Sequence, residues 1–119
     1  MTLGRRGERI AARMLKRLGY RIVARNYQCP AGEIDIITLD RETVVFVEVK
    51  TRSSSEAAYP EAHVNQPKRR QLTRVARMFL AANSSEDPPC RFDVVAVVVN
   101  EHGKPSVEHF INAFEPVYR

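Results

Sequence analysis

Residues 92–99 read Phe-Asp-Val-Val-Ala-Val-Val-Val, and this run restricts the fold more than any other segment. A strand with apolar residues in almost every place has no face to turn to water, so it must be covered on both sides. The rest of the chain supplies covers and neighbours. Residues 5–18 predict an amphipathic helix with Ala11, Ala12, Leu15 and Leu18 on one face. Arg6, Arg9, Arg13 and Lys16 fall on the other, and Gly19 is placed to stop it. Residues 67–82 predict a second helix, with Leu72, Val75, Ala76, Phe79 and Leu80 as its apolar stripe. Pro67 suits its first turn, and Asn65 or Gln66 its cap.

Residues 20–28, 33–39 and 44–50 read as strands. Pro30-Ala31-Gly32 separates the first two, and the short polar Asp40-Arg41-Glu42-Thr43 joins the second and third as a hairpin. The serine-rich residues 51–66 read as a mobile loop, 83–89 as a turn, and 106–111 as an added edge strand. Helix, three strands, helix, then one or two strands predicts an α/β fold with a central mixed β-sheet flanked by α-helices.

At 119 residues and 44% hydrophobic content, the expectation is one core and one domain spanning 1–119. No stretch approaches the roughly 20 apolar residues of a membrane-spanning helix. The first residues are basic without an apolar region, so they do not read as a leader, and a cytoplasmic protein is expected. Cys29 and Cys90 form no closely spaced pair, and His63, His102 and His109 are scattered, which argues against structural zinc. Both thiols are expected to be reduced and structural. Lysine and arginine number 19 against 14 acids, and the net charge of +5 favours a polyanionic partner.

Chemistry enters through the register of the hairpin. Residues two apart on a strand share a face. With the turn centred on Arg41-Glu42, Leu39 faces Val44, Ile37 faces Phe46, Asp35 faces Glu48, and Glu33 faces Lys50. Two carboxylates then stand opposite each other, with Cβ atoms about 5 Å apart. Beside so much apolar surface their repulsion must be offset by a shared proton, a cation or a metal. Hard oxygen ligands select Mg²⁺, with Mn²⁺ as the alternative ion. Magnesium commonly uses one or two carboxylates and keeps several waters. Asp35, Glu48 and the backbone carbonyl of Val49 are the candidate ligands, and Lys50 the candidate for orienting a water or stabilising phosphoryl charge. The plainer alternative is a solvated cross-strand salt pair, which would be preferred if Glu48 and Lys50 stood alone.

Glu8 lies on the inner stripe of the first helix, four residues before Ala12. A place in the first turn and a place as an outer metal-site carboxylate are equally open to it. Lys68, four before Leu72, either reaches the carboxylates or snorkels to solvent, with solvent slightly preferred. Arg52 follows Lys50 by two and suits a backbone phosphate, as do Arg6 and Arg9.

Glu8, Gly32-Glu33-Ile34-Asp35, Val47-Glu48-Val49-Lys50-Thr51-Arg52 and Lys68 together resemble the YraN family of bacterial proteins. Arg25-Asn26-Tyr27 and Phe92-Asp93-Val94 extend the resemblance over nearly the whole chain. That family is similar to archaeal Holliday junction resolvases and to the PD-(D/E)XK nucleases. The resemblance implies a restriction-endonuclease-like fold, with Asp35, Glu48 and Lys50 as the motif aspartate, acid and lysine. Glu8 matches the acid on the first helix of resolvase-like members. Ile34 stands where the superfamily motif has proline, which removes no ligand. The expected substrate is nucleic acid, DNA more than RNA and of structured or branched form, and the likeness to dimeric resolvases implies a homodimer by analogy. A nucleic-acid-binding module that keeps the fold without cutting is the alternative, and an assembly subunit that meets an acidic protein is a weaker one.

Overall fold

The computed structural model describes residues 1–54 and 62–118. The chain runs α1 (Leu3–Arg17), β1 (Arg21–Cys29), β2 (Gly32–Asp40), β3 (Thr43–Ser53), α2 (Gln66–Asn83), β4 (Cys90–Val99) and β5 (Ser106–Phe114). The five strands form one sheet in sequential order. β3 and β4 are parallel and joined through α2; the other three pairs are antiparallel. A parallel pair cannot be closed by a tight turn, so the chain must leave the sheet between β3 and β4, and α2 is that crossover.

The alternation of β3 shows how the helices divide. Val44 and Phe46 join a core with Leu72, Val75, Ala76 and Phe79 of α2. Val45 and Val47 join a second core with Ala11, Ala12 and Leu15 of α1. The helices therefore cover opposite faces, and β4 is buried by both, as its unbroken apolar run required. Four phenylalanines hold the α2 side together. Phe46 packs against Phe79 and Phe92, and Phe92 stacks on Phe114 at 4.8 Å between ring centroids.

α1 begins earlier than the apolar pattern indicates because Thr2 caps it, its hydroxyl accepting the Arg5 N–H at 3.2 Å. It ends at Arg17 with Gly19 in a left-handed conformation (φ 94°). Leu18, expected on the inner face, is instead the C-cap and 56% exposed. The helix turn stops before it can rotate inward. Gly7 faces the end of β3, and a Cβ there would collide with Thr51. α2 begins at Gln66, capped by the Asn65 side chain, which accepts the Lys68 N–H at 2.9 Å. Of the loop expected over 51–66, residues 51–53 prolong β3 and Gln66 belongs to α2. The expected mobility falls on residues 55–61, which lie outside the described residues.

A buried ionic cluster pins the other end of the sheet. Asp93, fully buried, lies 3.0 Å from Arg91 Nε and 2.7 Å from His109 Nε2, and accepts the Asn112 N–H at 3.0 Å. Arg91 also reaches Asp40 at 3.2 Å and donates to the Tyr20 hydroxyl at 2.8 Å. The cluster thus ties β1, β2, β4 and β5. Burial alone would raise the Asp93 carboxyl, but the bonds from His109, Arg91 and Asn112 outweigh it and hold the group below the ordinary carboxylate range. No helix among the described residues is long and apolar enough to cross a membrane.

Candidate functional site

β2 and β3 pair from Asp40↔Thr43 to Ile36↔Val47, including Leu39↔Val44 and Ile37↔Phe46, and then part. The hairpin register read from the turn holds over this stretch. It does not continue to Glu33 and Lys50: Glu33 pairs across β1 with Gln28 instead.

Asp35 sits where the two strands separate. Its Oδ2 accepts the Val49 N–H at 2.8 Å, so the carboxylate takes the place of a ladder carbonyl. The side chains of β2 also change phase here. Ile37 lies in the α2-side core and Ile36 in the α1-side core, yet Ile34 returns to the α2 side. Opposite, Asn26 has a left-handed φ of 53°, and Tyr27 packs on Phe79 of α2. The expectation that Glu33, Asp35, Ile37 and Leu39 share one face is corrected accordingly. Asp35 leaves the strand in a gap of the sheet, within reach of both helices.

Glu48 follows Phe46 on the α2-side face of β3, its side chain 14% exposed. Its carboxyl lies close enough to that of Asp35 to perturb it. Burial, then the proximity of Glu48 and its charge, push the Asp35 carboxyl far above its ordinary value, to about 7, against the lowering effect of the Val49 N–H. A carboxyl raised this far is partly protonated near neutral pH, which lessens the repulsion within the pair.

The helices close in from both sides. Lys68, in the first turn of α2, brings Nζ to 3.6 Å from Glu48 Oε2. The slight preference for solvent is overturned, because the Asn65 cap starts the helix directly over the acids. From α1, Glu8 comes near the Asn26 side chain, and burial together with the charge of Asp35 raises its pKa. No acid occupies the first turn of α1, so the first-turn alternative for Glu8 is ruled out.

Lys50 is half-buried, one step beyond Glu48 on the same face of β3. Val49 turns its N–H toward Asp35, and a strand residue's carbonyl leaves on the same side. Arg52 is exposed at the end of the same row. Arg6 and Arg9 are exposed on α1, apart from the acids. Among the described residues no three His, Cys, Asp or Glu side chains converge in metal-holding geometry. The oxygens available beside the gap are those of Asp35 and Glu48, of the hard kind that suits a divalent cation keeping most of its waters.

Beside the pair opens a cavity of about 500 Å³ between the β1–β2 hairpin and α2. Asp35 and Lys68 line it together with Gln28, Cys29, Gly32, Glu33 and Gln71. Sequence reasoning overlooked Asn26 and Gln28. Asn26 had a signal, since asparagine is among the few residues that accept a left-handed conformation.

A mixed sheet with α1 on one face and α2 on the other, and the two acids meeting beside its central hairpin, defines a restriction-endonuclease-like α/β protein. Residues 7–97 match Uncharacterised protein family UPF0102, and the chain belongs to this family, the YraN family of the sequence resemblance. It is 46% identical over 117 residues to a UPF0102 protein of Geotalea uraniireducens (strain Rf4), covering 98% of this chain and 92% of the relative. A UPF0102 protein of Geobacter sulfurreducens is 44% identical over 116 residues, 98% and 91% of the two chains. One from Chlorobium limicola is 42% identical over 118 residues, 95% and 92%.

Proposed function

We propose that this protein is a magnesium-dependent nuclease that binds nucleic acid, DNA rather than RNA, and hydrolyses a phosphodiester bond. The observation that carries the reading is the close pair of carboxyls Asp35–Glu48, set in a gap of the sheet, with Lys68 at 3.6 Å from Glu48 and Lys50 two residues further along β3. Asp35, Glu48 and the Val49 carbonyl would hold the ion; Mn²⁺ fits the same oxygens. When bound, the ion supplies Lewis acidity and an activated water. Asp35 is kept in place by the Val49 N–H, so its orientation does not depend on a ligand. Lys50 orients the attacking water or stabilises charge on the phosphoryl oxygens. Lys68 neutralises Glu48 before the substrate arrives, and Glu8 sets the charge on the Asp35 side.

Grip on the substrate falls to α1 and the end of β3. α1 carries six basic residues against the single acid Glu8, an excess as large as the +5 of the whole chain. Arg6, Arg9 and Arg13 are exposed, and no ion pair joins them to another described residue. Unpaired guanidinium groups along a helix suit a phosphate backbone. Arg52, exposed at the end of β3, is a further candidate for a backbone phosphate. The likeness of the family to resolvases favours structured or branched DNA and a homodimer in the cytoplasm.

One observation favours the second reading, a binding module that does not cut. Lys68 beside Glu48 and the raised pKa of Asp35 already lessen the charge of the acids without a metal. The test is incubation with Mg²⁺ or Mn²⁺ and branched, single-stranded and duplex DNA. The nuclease reading expects cleavage of at least one DNA, abolished in Asp35→Ala and Lys50→Ala. Folded protein that binds DNA and cuts none of the three selects the module.

A further inference from the structure

We infer that the cavity beside Asp35 is a nucleobase pocket, which takes an unpaired base carrying an exocyclic amino group from the nucleotide next to the scissile phosphate. The inference rests on the nucleic-acid reading above and adds the form of the substrate. The cavity's volume of about 500 Å³ is within the range of small-molecule pockets, roughly 300–1,000 Å³. That is far more than a water or an ion needs.

Its lining selects among the parts of a nucleotide. Glu33 gives the wall a negative charge, and the one lysine present, Lys68, is engaged by Glu48. A phosphate would be repelled. A neutral base would not, and an exocyclic amino group is a donor for the carboxylate of Glu33. Gln28 and Gln71 add carboxamides that both donate and accept, the groups that pair with base edges. Gln28 already donates to Glu33 Oε2 at 3.1 Å, which holds that carboxylate at the wall.

The backbone is shaped to admit Gln71. Gly32 has a φ of 141°, and a Cβ placed on it would come within 2.5 Å of Gln71 Nε2. Only glycine lets that carboxamide lie against the hairpin. A base inside a continuous duplex cannot enter such a cavity. A base at a flap, bulge or junction is already without its partner and stack, so its entry carries little penalty. The chemistry therefore favours DNA with an unpaired nucleotide at the cleavage point.

The test measures fluorescence anisotropy with labelled duplexes containing a single bulged nucleotide, in calcium buffer. The bulged position is dC, dT or abasic. Wild-type protein is expected to bind the dC duplex about tenfold more tightly than the abasic one, the order of one good base-edge pairing, with dT between them. In Gln71→Ala the dC-to-abasic ratio is expected to fall toward one; a ratio is used because changes in overall affinity cancel. A wild-type ratio of one overturns the inference. Calorimetric titration with Mn²⁺ separates the two failures. Metal and duplex binding with a ratio of one removes the base pocket alone. Absence of both metal and DNA binding removes the nuclease reading with it.

Discussion

Oδ2 of Asp35 accepts the main-chain N–H of Val49 at 2.8 Å, across the point where β2 and β3 cease to pair. A side chain has replaced a backbone acceptor, and this fixes the carboxylate beside Glu48. The order of the site does not wait for a ligand.

Removing the charge of Asp35 while keeping its shape separates these roles. Asp35→Asn retains an acceptor for Val49 and is expected to fold. Calorimetric titration should show Mn²⁺ affinity reduced by at least about tenfold, the lower end of what even indirect ligand partners contribute. Unchanged affinity would remove Asp35 from the ligand set.

The same substitution reveals the proton. Asp35 is raised to about 7 in the fold against an ordinary value near 4, so between these pH values the folded state binds more protons than the unfolded state. Stability should therefore fall as pH rises from about 4 to about 7 in metal-free buffer. Urea midpoints for wild type should decline over this window relative to those of Asp35→Asn. A difference that is flat with pH contradicts the raised pKa of Asp35.

Lys68 competes with a cation for Glu48. Lys68→Ala is expected to strengthen Mn²⁺ binding about fivefold, the effect of one unit charge at ~4 Å in water. The same variant should lose cleavage if Lys68 also meets the substrate. Weaker metal binding would mean that Lys68 positions Glu48 rather than opposing the ion.

The α1 arginines should register in the salt dependence of DNA binding. Replacing Arg6, Arg9 and Arg13 by serine is expected to flatten the log–log slope by about 0.9 for each phosphate that is no longer neutralised. An unchanged slope would place the backbone elsewhere on the molecule.

The Asp93 cluster is a separate source of stability. Asp93→Asn leaves Arg91 with one fewer counter-charge in a buried place, and unfolding free energy should drop by ~3 kcal/mol. Because the Asp93 carboxyl is lowered in the fold, its contribution is present above the unfolded value near 4 and disappears as the pH falls below it. Acid titration of wild type against the variant should show the two curves converging at low pH.

Much of this was legible in the sequence where a local rule had only one solution. The two-residue turn at Arg41-Glu42 fixes the register of Ile37 with Phe46, because turns centred elsewhere would need a glycine that is not there. The double covering of β4 follows from its composition. What could not be read was the change of phase at Asp35, which depends on Asn26 across the strand and on the end of the β2–β3 ladder. Simple alternation nevertheless brought Asp35 and Glu48 together, since the gap admits both. Lys68 was misplaced because spacing gives the face of a helix but not where its first turn ends. Asp93 was absorbed into an apolar run. A lone carboxylate there, two residues after Arg91, was the available sign of a buried ion pair.

Since α1 alone accounts for the surplus of positive charge, the remainder of the molecule is electrically balanced and the protein has a strong built-in polarity. Any long polyanion would turn it during approach, so that it lands helix-first, before a single short-range interaction has formed. Orientation is then decided at a distance, and the acids in the gap of the sheet are left to act on whatever has already been aligned.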